Sequence, residues 1–513
     1  MLVKHTNYNK KEVSKYAYLF FIAIFYLLAS SKAYPQSTAE KKEVYNAYQK
    51  ILKLKINEGK KDIQQNLKHN KQPALPLEIY ALNLADILEL LLTEDVELYN
   101  KIKYLEKDRL NLIADLPDSD PYKKFCEAEI KLQWAFVKLK FGDELNAIWN
   151  INQSYKAVKE NAETFPAFSP NNKTLGVFNV ILGTVPQKYQ WVLNLFSMNG
   201  KTETGLTQLT SISQNENFFS LESTILLSLI KAYLLESAAI AIDDLQELSA
   251  RNPDNKLIKY LLGMTLLKNN QAENALKVLK NTNDLDPGYI LIAFTAYLQG
   301  EIMLQKGLYN EASSQYASFL LHYKGQNFVK DAYYKLFISN YLLGDNKWAS
   351  YYIDKAKNIG TTIAEADKYA AKRIASGDYP NKEILKIRLA TDGGFYERAD
   401  SLINVHKDED FPAYKDQVEF IYRKARLFDK QGMADKAIKF YLNTIDKSGK
   451  NEWYFAPNAA LHLGYIHAQK KQRTKAVFYF EKALSYKNHE YKNSIDHKAK
   501  AALQKLKNDD HEQ

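Results

Sequence analysis

Apolar residues recur at intervals of three and four along most of this 513-residue chain, and no run of alternating apolar and polar residues stands out. That interval places apolar side chains on one face of an α-helix. Proline and glycine, which interrupt helices, occur only 13 and 19 times, so we expect the connections between helices to be short. The pattern therefore predicts an all-α protein.

In the C-terminal half the helical pattern itself repeats, and each repeat carries an alanine where two helices are expected to touch. These anchor alanines, separated by 34, 37, 37, 50, 38 and 39 residues, are Ala241, Ala275, Ala312, Ala349, Ala399, Ala437 and Ala476. A small residue stands twelve positions before several anchors and a large residue stands four positions after them, in the pairs Gly263–Leu279, Gly300–Tyr316, Ala425–Tyr441 and Gly464–Phe480. Small residues let two helices approach closely, and the large side chain fills the space above them.

Turn residues complete the repeating unit. A glycine stands five positions before four of the anchors, at Gly307, Gly344, Gly394 and Gly432. Glycine is favoured where one helix ends and the chain turns into the next. A helical hairpin with this period resembles the tetratricopeptide repeat, which implies a stack of hairpins that holds another molecule.

The expected fold class is thus an all-α, tetratricopeptide-like helical-hairpin solenoid with an N-terminal helical region. We expect a signal peptide over 1–33, the N-terminal helical region over 34–215, seven repeats over 220–490, and a capping helix with a tail over 491–513. Within this frame, 38–69 is interpreted as one helix. The 50-residue step between Ala349 and Ala399 leaves room for a longer helix or an insertion at 358–380.

The N-terminus has the arrangement of a secretory signal peptide. Residues 1–15 are polar and basic, 16–29 are apolar, and small residues at Ser31 and Ala33 suit a cleavage site after Ala33. A 14-residue run is short for a transmembrane helix, which needs about 20 residues, although an uncleaved anchor is the alternative. Without a cysteine near the cut, a lipid anchor is excluded. We expect export, to the periplasm or the outer membrane of a bacterium.

A second resemblance concerns the segment after Pro170. It contains Leu175-Gly176-Val-Phe178-Asn179, then Gly183 and Pro186, an aromatic stretch with Tyr189 and Trp191, and Gly200 followed by Gly205-Leu206. With Tyr454-Phe-Ala-Pro457 and the basic end of the chain, it resembles the tetratricopeptide-repeat-39 / inclusion-body-clearance family. The resemblance implies a non-enzymatic adaptor. From the residues alone, Gly176 and Gly183 are expected to allow close helix packing.

Composition excludes several functional classes. The net charge of +10 is spread thinly once the basic N-terminus is set aside, so nucleic-acid binding is not expected. His462 and His467 are five residues apart and miss the spacing of a zinc-binding helix. The single cysteine, Cys126, is expected to be a small buried residue. No catalytic or cofactor motif stands out, and we predict no enzyme activity, cofactor or metal.

The resemblance to the tetratricopeptide repeat also implies where a partner binds, because the first helix of each hairpin lines the concave face. When the anchor alanine is numbered 20, positions 5 and 9 face that groove. The candidate partner-binding residues are Tyr260, Met264, Tyr297, Glu301, Tyr334, Arg388, Tyr422 and Arg426. The groove is expected to be aromatic in the first four repeats and basic in the fifth and sixth.

Two interpretations of that groove stay open. The protein's own 38–215 segment could fill it, since a long exposed apolar groove is unfavourable in a free monomer. Alternatively it binds an extended or helical segment of a partner, for which tyrosine is well suited. We therefore predict a non-enzymatic exported scaffold or adaptor for a protein or peptide partner. The alternative function is an outer-membrane-associated receptor for a carbohydrate or lipid.

Overall fold

The computed structural model describes residues 38–70, 75–185, 197–215, 217–235, 237–280, 282, 286 and 288–508. These residues form helices and turns, with no strand among them. They fall into two compact units. The first comprises the described residues up to Glu89 and those of Asn100–Leu227, and the second comprises Leu90–Tyr99 and the described residues from Ser228 onward. The all-α prediction is confirmed.

The first part of the chain forms helices that pack side by side in pairs. In chain order they are α1 (Thr38–Leu52), α2 (Ile56–Asn70), α3 (Pro76–Thr93), α4 (Val96–Ile102), α5 (Leu105–Ala114), α6 (Pro121–Lys140), α7 (Glu144–Thr164), α8 (Asn171–Thr184), α9 (Thr202–Gln214) and α10 (Ser220–Tyr233). The closest pairs are α1 with α2, α6 with α7, and α8 with α9.

The prediction of one helix over 38–69 is wrong. Helix α1 ends at Leu52 and α2 begins at Ile56, because Leu54 adopts a left-handed backbone with φ of 71°. Its side chain is fully buried, so burial of an apolar residue stabilises a turn that local propensity disfavours. The two helices then fold back on each other.

Close helix packing at α8 and α9 depends on glycine. A Cβ atom on Gly205 would lie 2.6 Å from the backbone oxygen of Gly176, and one on Gly183 would lie 2.7 Å from the backbone nitrogen of Thr202. The packing role predicted for Gly176 and Gly183 is confirmed. The other predicted motif residues Pro186, Tyr189 and Trp191 lie outside the described residues.

A charged group is sealed inside the first unit. The Lys173 ammonium donates hydrogen bonds to Glu129 and to the Tyr80 hydroxyl, both at 2.7 Å, and lies 2.9 Å from the Glu222 carboxylate. The hydroxyls of Tyr48 and Tyr80 donate to Glu222 at 2.5 and 2.6 Å. We call these five residues the buried ion cluster. They come from α1, α3, α6, α8 and α10, so the cluster joins five helices.

The remainder of the chain forms the stacked hairpins. Its helices are α11 (Ala238–Arg251), α12 (Lys256–Lys268), α13 (Ala272–Leu279), α14 (Phe294–Lys306), α15 (Tyr309–His322), α16 (Val329–Leu343), α17 (Asn346–Asn358), α18 (Glu365–Ser376), α19 (Lys382–Gly393), α20 (Tyr396–Asn404), α21 (Tyr414–Lys430), α22 (Ala434–Ser448), α23 (Phe455–Gln469), α24 (Arg473–Ser485) and α25 (Lys492–Asn508). Hairpins form between α12 and α13, α14 and α15, α16 and α17, α19 and α20, α21 and α22, and α23 and α24.

The repeating residues act as their spacing predicts. All seven anchor alanines are buried. A Cβ atom on Gly300 would lie 2.8 Å from the Tyr316 ring, and one on Gly464 would lie 2.5 Å from the Phe480 ring, so small and large residues fit together between helices. The four turn glycines have φ between 74° and 84°, a left-handed conformation that side chains disfavour.

Two further helices accompany these hairpins. Helix α18 occupies the extra length expected at 358–380, and α25 packs against α23 and α24 at the end of the array. Among the described residues, no helix is both long and apolar enough to span a bilayer. The predicted signal peptide at 1–33 and the last residues, 509–513, lie outside the described residues.

Candidate functional site

A basic cleft of about 270 Å³ opens in the second unit, beside the last two hairpins and the terminal helix. Helices α19, α21, α23 and α25 supply most of its wall, and the residues that precede α23 and α25 complete it. The lining residues are Arg388, Asp392, Tyr422, Arg423, Arg426, Tyr454, Asn458, Tyr491, Ser494, Ile495 and Lys498. Four cations and one carboxylate therefore face the same space.

Arg388 is the most accessible of the three arginines. Its side chain is 36 % exposed, and its Nε lies 3.6 Å from the Asp392 carboxylate, a loose ion pair. Burial opposes ionisation of the nearby Tyr369, yet the guanidinium of Arg388, with Arg373 and Lys335, lowers the pKa of that phenol. A phenol that ionises more easily than usual reports a positive potential around it. The Arg388 guanidinium is hydrogen-bonded to this phenol as well as loosely paired with Asp392.

Arg423 is held more firmly. Its guanidinium donates to the Glu419 carboxylate at 2.6 Å and to the Tyr454 hydroxyl at 2.7 Å. The side chain of Arg423 is buried, while Tyr454 remains partly accessible. These contacts fix the guanidinium at the base of the cleft, so that it is oriented before any ligand arrives.

Arg426 belongs to a polar network on the next turn of α21. Its Nη1 lies 2.8 Å from Nε2 of His462 and 3.2 Å from the Asp429 carboxylate. The Nδ1 atom of His462 lies 3.2 Å from the same carboxylate, consistent with a neutral ring that donates to Asp429 and accepts from Arg426. Burial and the adjacent Arg426 lower the pKa of His462 to about 4, against the opposing effect of Asp429.

The terminal helix adds the side of the cleft that the repeats lack. Lys498 and Ser494 of α25 are exposed, and Tyr491, just before the helix, is 46 % exposed. Ile495 is buried and fixes the helix by packing with Leu461 and Phe480. An exposed lysine beside the fixed guanidinium of Arg423 suits the capture of an anionic group.

Six of the eight predicted partner-binding residues fall into two groups. Tyr422, Arg388 and Arg426 come together in the cleft. Tyr260, Tyr297 and Tyr334 are buried. The Tyr297 ring packs on Tyr316 and its hydroxyl donates to Asp331 at 2.5 Å. Their contact with a partner stays a prediction, and in the free chain these rings contribute to packing.

The remaining two predicted residues lie in the same hairpins. Met264 is half-buried on α12. The Glu301 carboxylate on α14 is paired with the Lys335 ammonium at 2.8 Å. Tyr422 in the cleft is itself almost fully buried and accepts a hydrogen bond from Asn458 at 2.5 Å.

Sequence reasoning missed Arg423, Tyr454, Tyr491 and Lys498. Arg423 and Arg426 are three residues apart and so lie on neighbouring turns of one helix face, a signal that could have indicated the pair. Nothing in the sequence showed that α25 returns to the cleft. Among the described residues, no group of three histidine, cysteine or acidic side chains could hold a metal, and Cys126 is buried as expected.

Comparison with known proteins supports the repeat assignment in one hairpin. The model of the tetratricopeptide repeat matches residues 457–490, which span most of α23 and all of α24. No curated protein sequence matches the chain. The resemblance to the tetratricopeptide-repeat-39 family therefore stays a prediction.

Two solved structures are similar in outline. The alignment with the crystal structure of yeast Tom70 covers 91 % of this chain and 97 % of the Tom70 chain, with 12 % identity and a TM-score of 0.26. The alignment with the crystal structure of the APC/C hetero-tetramer Cut9–Hcn1 covers 87 % of this chain and 93 % of the matched chain, with 15 % identity and a TM-score of 0.23. Similarity at these levels carries no information about function.

Proposed function

We propose that this protein is a non-enzymatic scaffold or adaptor that binds another protein through its helical repeats, and that the basic cleft receives an acidic segment of that partner. The observation that carries the proposal is the convergence of Arg388, Arg423, Arg426 and Lys498 on one cleft, whose lining includes a single carboxylate, that of Asp392. Glu419 and Asp429 pair with Arg423 and Arg426 from outside the lining, which leaves Arg388 and Lys498 as the cations available to a partner. Tetratricopeptide-type hairpins hold other molecules on their surfaces, and complementary charge selects among partners.

The chemistry of the cleft favours carboxylates. An arginine guanidinium presents a planar set of donors that matches a carboxylate. Arg423 is fixed by Glu419 and Tyr454, whereas Arg388 holds Asp392 only loosely. We expect Arg388 and Lys498 to contact the partner directly, and Arg423 to supply a positive potential from below.

Export is part of the same proposal. The basic start, the apolar run 16–29 and the small residues at Ser31 and Ala33 support secretion, to the periplasm or the outer membrane. N-terminal sequencing of the protein recovered from fractionated cells tests it. A mature chain that begins at Tyr34 is expected, and a cytoplasmic chain that retains residues 1–33 would contradict export.

A peptide titration tests the cleft. We expect fluorescein-labelled octaglutamate to bind the purified protein, with an affinity that falls as salt rises, because the contacts are between charges. Arg388→Glu should weaken this binding at least about tenfold. The matched control is Arg251→Glu, which changes a 70 % exposed arginine of α11 away from the cleft.

The outcome is decisive in either direction. Loss of octaglutamate binding in Arg388→Glu alone, with octalysine failing to bind either protein, supports the cleft as an acidic-segment site. Equal affinity of octaglutamate for Arg388→Glu and Arg251→Glu would show that binding is a general effect of the basic surface, and would overturn the proposal.

A further inference from the structure

Helix α7 of the first unit carries large apolar residues on two faces. The face that packs in the unit buries Tyr155 and Val158 among small and polar residues, namely Ala147, Asn150, Asn152, Ser154, Ala157 and Asn161. Leu145 is 83 % exposed, Trp149 is 61 % exposed, and Ile148 between them is also exposed. Residues at spacings of three and four share a face, so three large apolar side chains form a stripe in water.

The neighbouring helix extends this stripe. Phe136 and Leu139, on the last turns of α6, are exposed at 41 and 42 %. Helix α6 packs along α7, and the two are joined by a short turn, so both sets of residues lie at the same end of the hairpin. We call Phe136, Leu139, Leu145, Ile148 and Trp149 the hairpin-end patch.

The fold of the unit does not require this patch. The hairpin is held by the hydrogen bond from Ser154 to the Ala128 carbonyl at 2.7 Å, and α6 is joined to α3 by buried Trp134, whose indole donates to Asn83 at 2.9 Å. Asn150 donates to Glu106 of α5 at 2.5 Å, so polar contacts fix the adjacent helix as well. Contiguous exposed apolar surface of this kind marks an interaction site.

The area of the patch fits one half of a protein interface. Its exposed apolar side chains amount to on the order of 500 Å², and a standard interface takes about 800 Å² from each partner, somewhat more than half of it apolar. The exposed charged residues of α7 have both signs, for example Lys156 and Lys159 against Glu144 and Glu160. The face therefore does not favour a strongly charged partner such as an anionic membrane.

We propose that the hairpin-end patch is the interface with a second copy of this chain. A face with a central apolar stripe and flanking charges of both signs is complementary to itself when a two-fold axis relates the copies. Trp149 and Leu145 of each copy then form the centre of the interface, since large central side chains contribute most to association. This site lies in the first unit and is independent of the basic cleft.

Sedimentation over a range of concentrations tests the proposal. The purified protein is expected to change from one to two chains as its concentration rises. The double variant Leu145→Glu/Trp149→Glu should weaken association at least about tenfold. Its matched control is Leu321→Glu/Trp348→Glu, which makes the same changes at side chains that are 78 and 46 % exposed on α15 and α17. Circular dichroism establishes that both variants are folded.

A cysteine placed in the patch adds a test of symmetry. In Trp149→Cys, oxidation should link two chains through position 149, because a residue near a two-fold axis meets its own copy. Native Cys126 is fully buried and should not react, and Trp348→Cys is the control that stays unlinked. A single species of one chain at every concentration, or dimers that the glutamate variant leaves intact, would overturn the proposal.

A lipid surface is the other occupant that such a patch could serve. Sedimentation with vesicles of phosphatidylethanolamine and phosphatidylglycerol distinguishes the two. Vesicle binding that Leu145→Glu/Trp149→Glu abolishes, by a protein that stays monomeric, would assign the patch to the membrane and contradict a second copy.

Discussion

The buried ion cluster of the first unit and the basic cleft of the second are built from the same kinds of residue. Each combines cations, carboxylates and tyrosine hydroxyls. In the cluster, the Lys173 side chain is 2 % exposed, and its cation is enclosed by Glu129 and Glu222. In the cleft, Arg388 is 36 % exposed, and its carboxylate partner Asp392 lies at 3.6 Å.

The two sites differ in how far their charged groups are closed off from solvent. Burial alone would lower the pKa of Lys173, but the two carboxylates raise it above its ordinary value, so the cation is fully committed to its own chain. In the cleft, Arg423 is paired closely with Glu419, whereas Arg388 lies 3.6 Å from Asp392 and Lys498 is exposed. The comparison indicates that charge in a sealed site is satisfied by its own chain and is costly to leave unpaired, whereas charge around an open space is available to another molecule.

The largest expected effect comes from breaking the sealed site. Lys173→Ala leaves two buried carboxylates without their cation, and removal of one member of a buried ion pair costs about 3 to 5 kcal/mol. Urea unfolding followed by circular dichroism measures it. The control Lys231→Ala, at the half-exposed pair with Asp244, should cost at most about 1 kcal/mol. Equal losses in the two variants would contradict the comparison.

The second prediction concerns pH at the edge of the cleft. The pKa of His462 is about 4 in the folded chain and near 6.5 when unfolded. Between those values the unfolded chain takes up a proton that the folded chain does not, so His462 destabilises the fold as pH falls. His462→Gln should therefore lose about 2 kcal/mol less free energy of unfolding than wild type between pH 7 and pH 4.5. Identical pH dependence would contradict the assignment.

A smaller effect is expected from a single hydroxyl of the sealed site. The Tyr80 hydroxyl donates to Glu222 and accepts from Lys173, so Tyr80→Phe leaves both charged groups with one partner fewer. A hydrogen bond to a charged group contributes about 1.5 to 3 kcal/mol, which is less than the loss expected for Lys173→Ala. Urea unfolding of the two variants side by side checks the order, and a larger loss for Tyr80→Phe would contradict it.

The smallest effect on stability is expected in the cleft. Lys498→Glu changes an exposed side chain of α25, so the free energy of unfolding should stay within about 0.5 kcal/mol of wild type. The same variant should weaken octaglutamate binding, because it reverses one of the four cations. A variant that unfolds easily would show that Lys498 serves the fold. A stable variant that binds octaglutamate normally would show that Lys498 does not contact the ligand.

Sequence reasoning succeeded where spacing alone determines structure. The anchor alanines, the turn glycines and the pairs such as Gly300 with Tyr316 follow from helix geometry, and the structure confirms them. It failed at Leu54, where burial of one side chain forces a turn into a helical pattern. Periodicity could not show that α25 returns to complete the cleft, because that contact joins residues far apart in the chain.

Three of the eight predicted partner-binding residues line the basic cleft, and their contact with a partner stays a prediction. Arg388 and Arg426 meet because they occupy equivalent positions in neighbouring repeats, and Tyr422 lies one turn before Arg426 on the same helix. The tyrosines of the earlier repeats are buried, as is Tyr422 itself, and Tyr297 shows this by its contacts with Tyr316 and Asp331. A repeat pattern therefore predicts which residues share a face but does not predict how much of that face stays accessible.

The most direct test of the central claim is a photo-crosslinking residue in place of Tyr491, which is exposed at the edge of the basic cleft, in the native host. We predict a discrete adduct with one protein, linked through an acidic segment and lost when Arg388→Glu is added but kept with Arg251→Glu. An adduct that persists in Arg388→Glu, or a crosslink through a segment without acidic residues, would contradict the account.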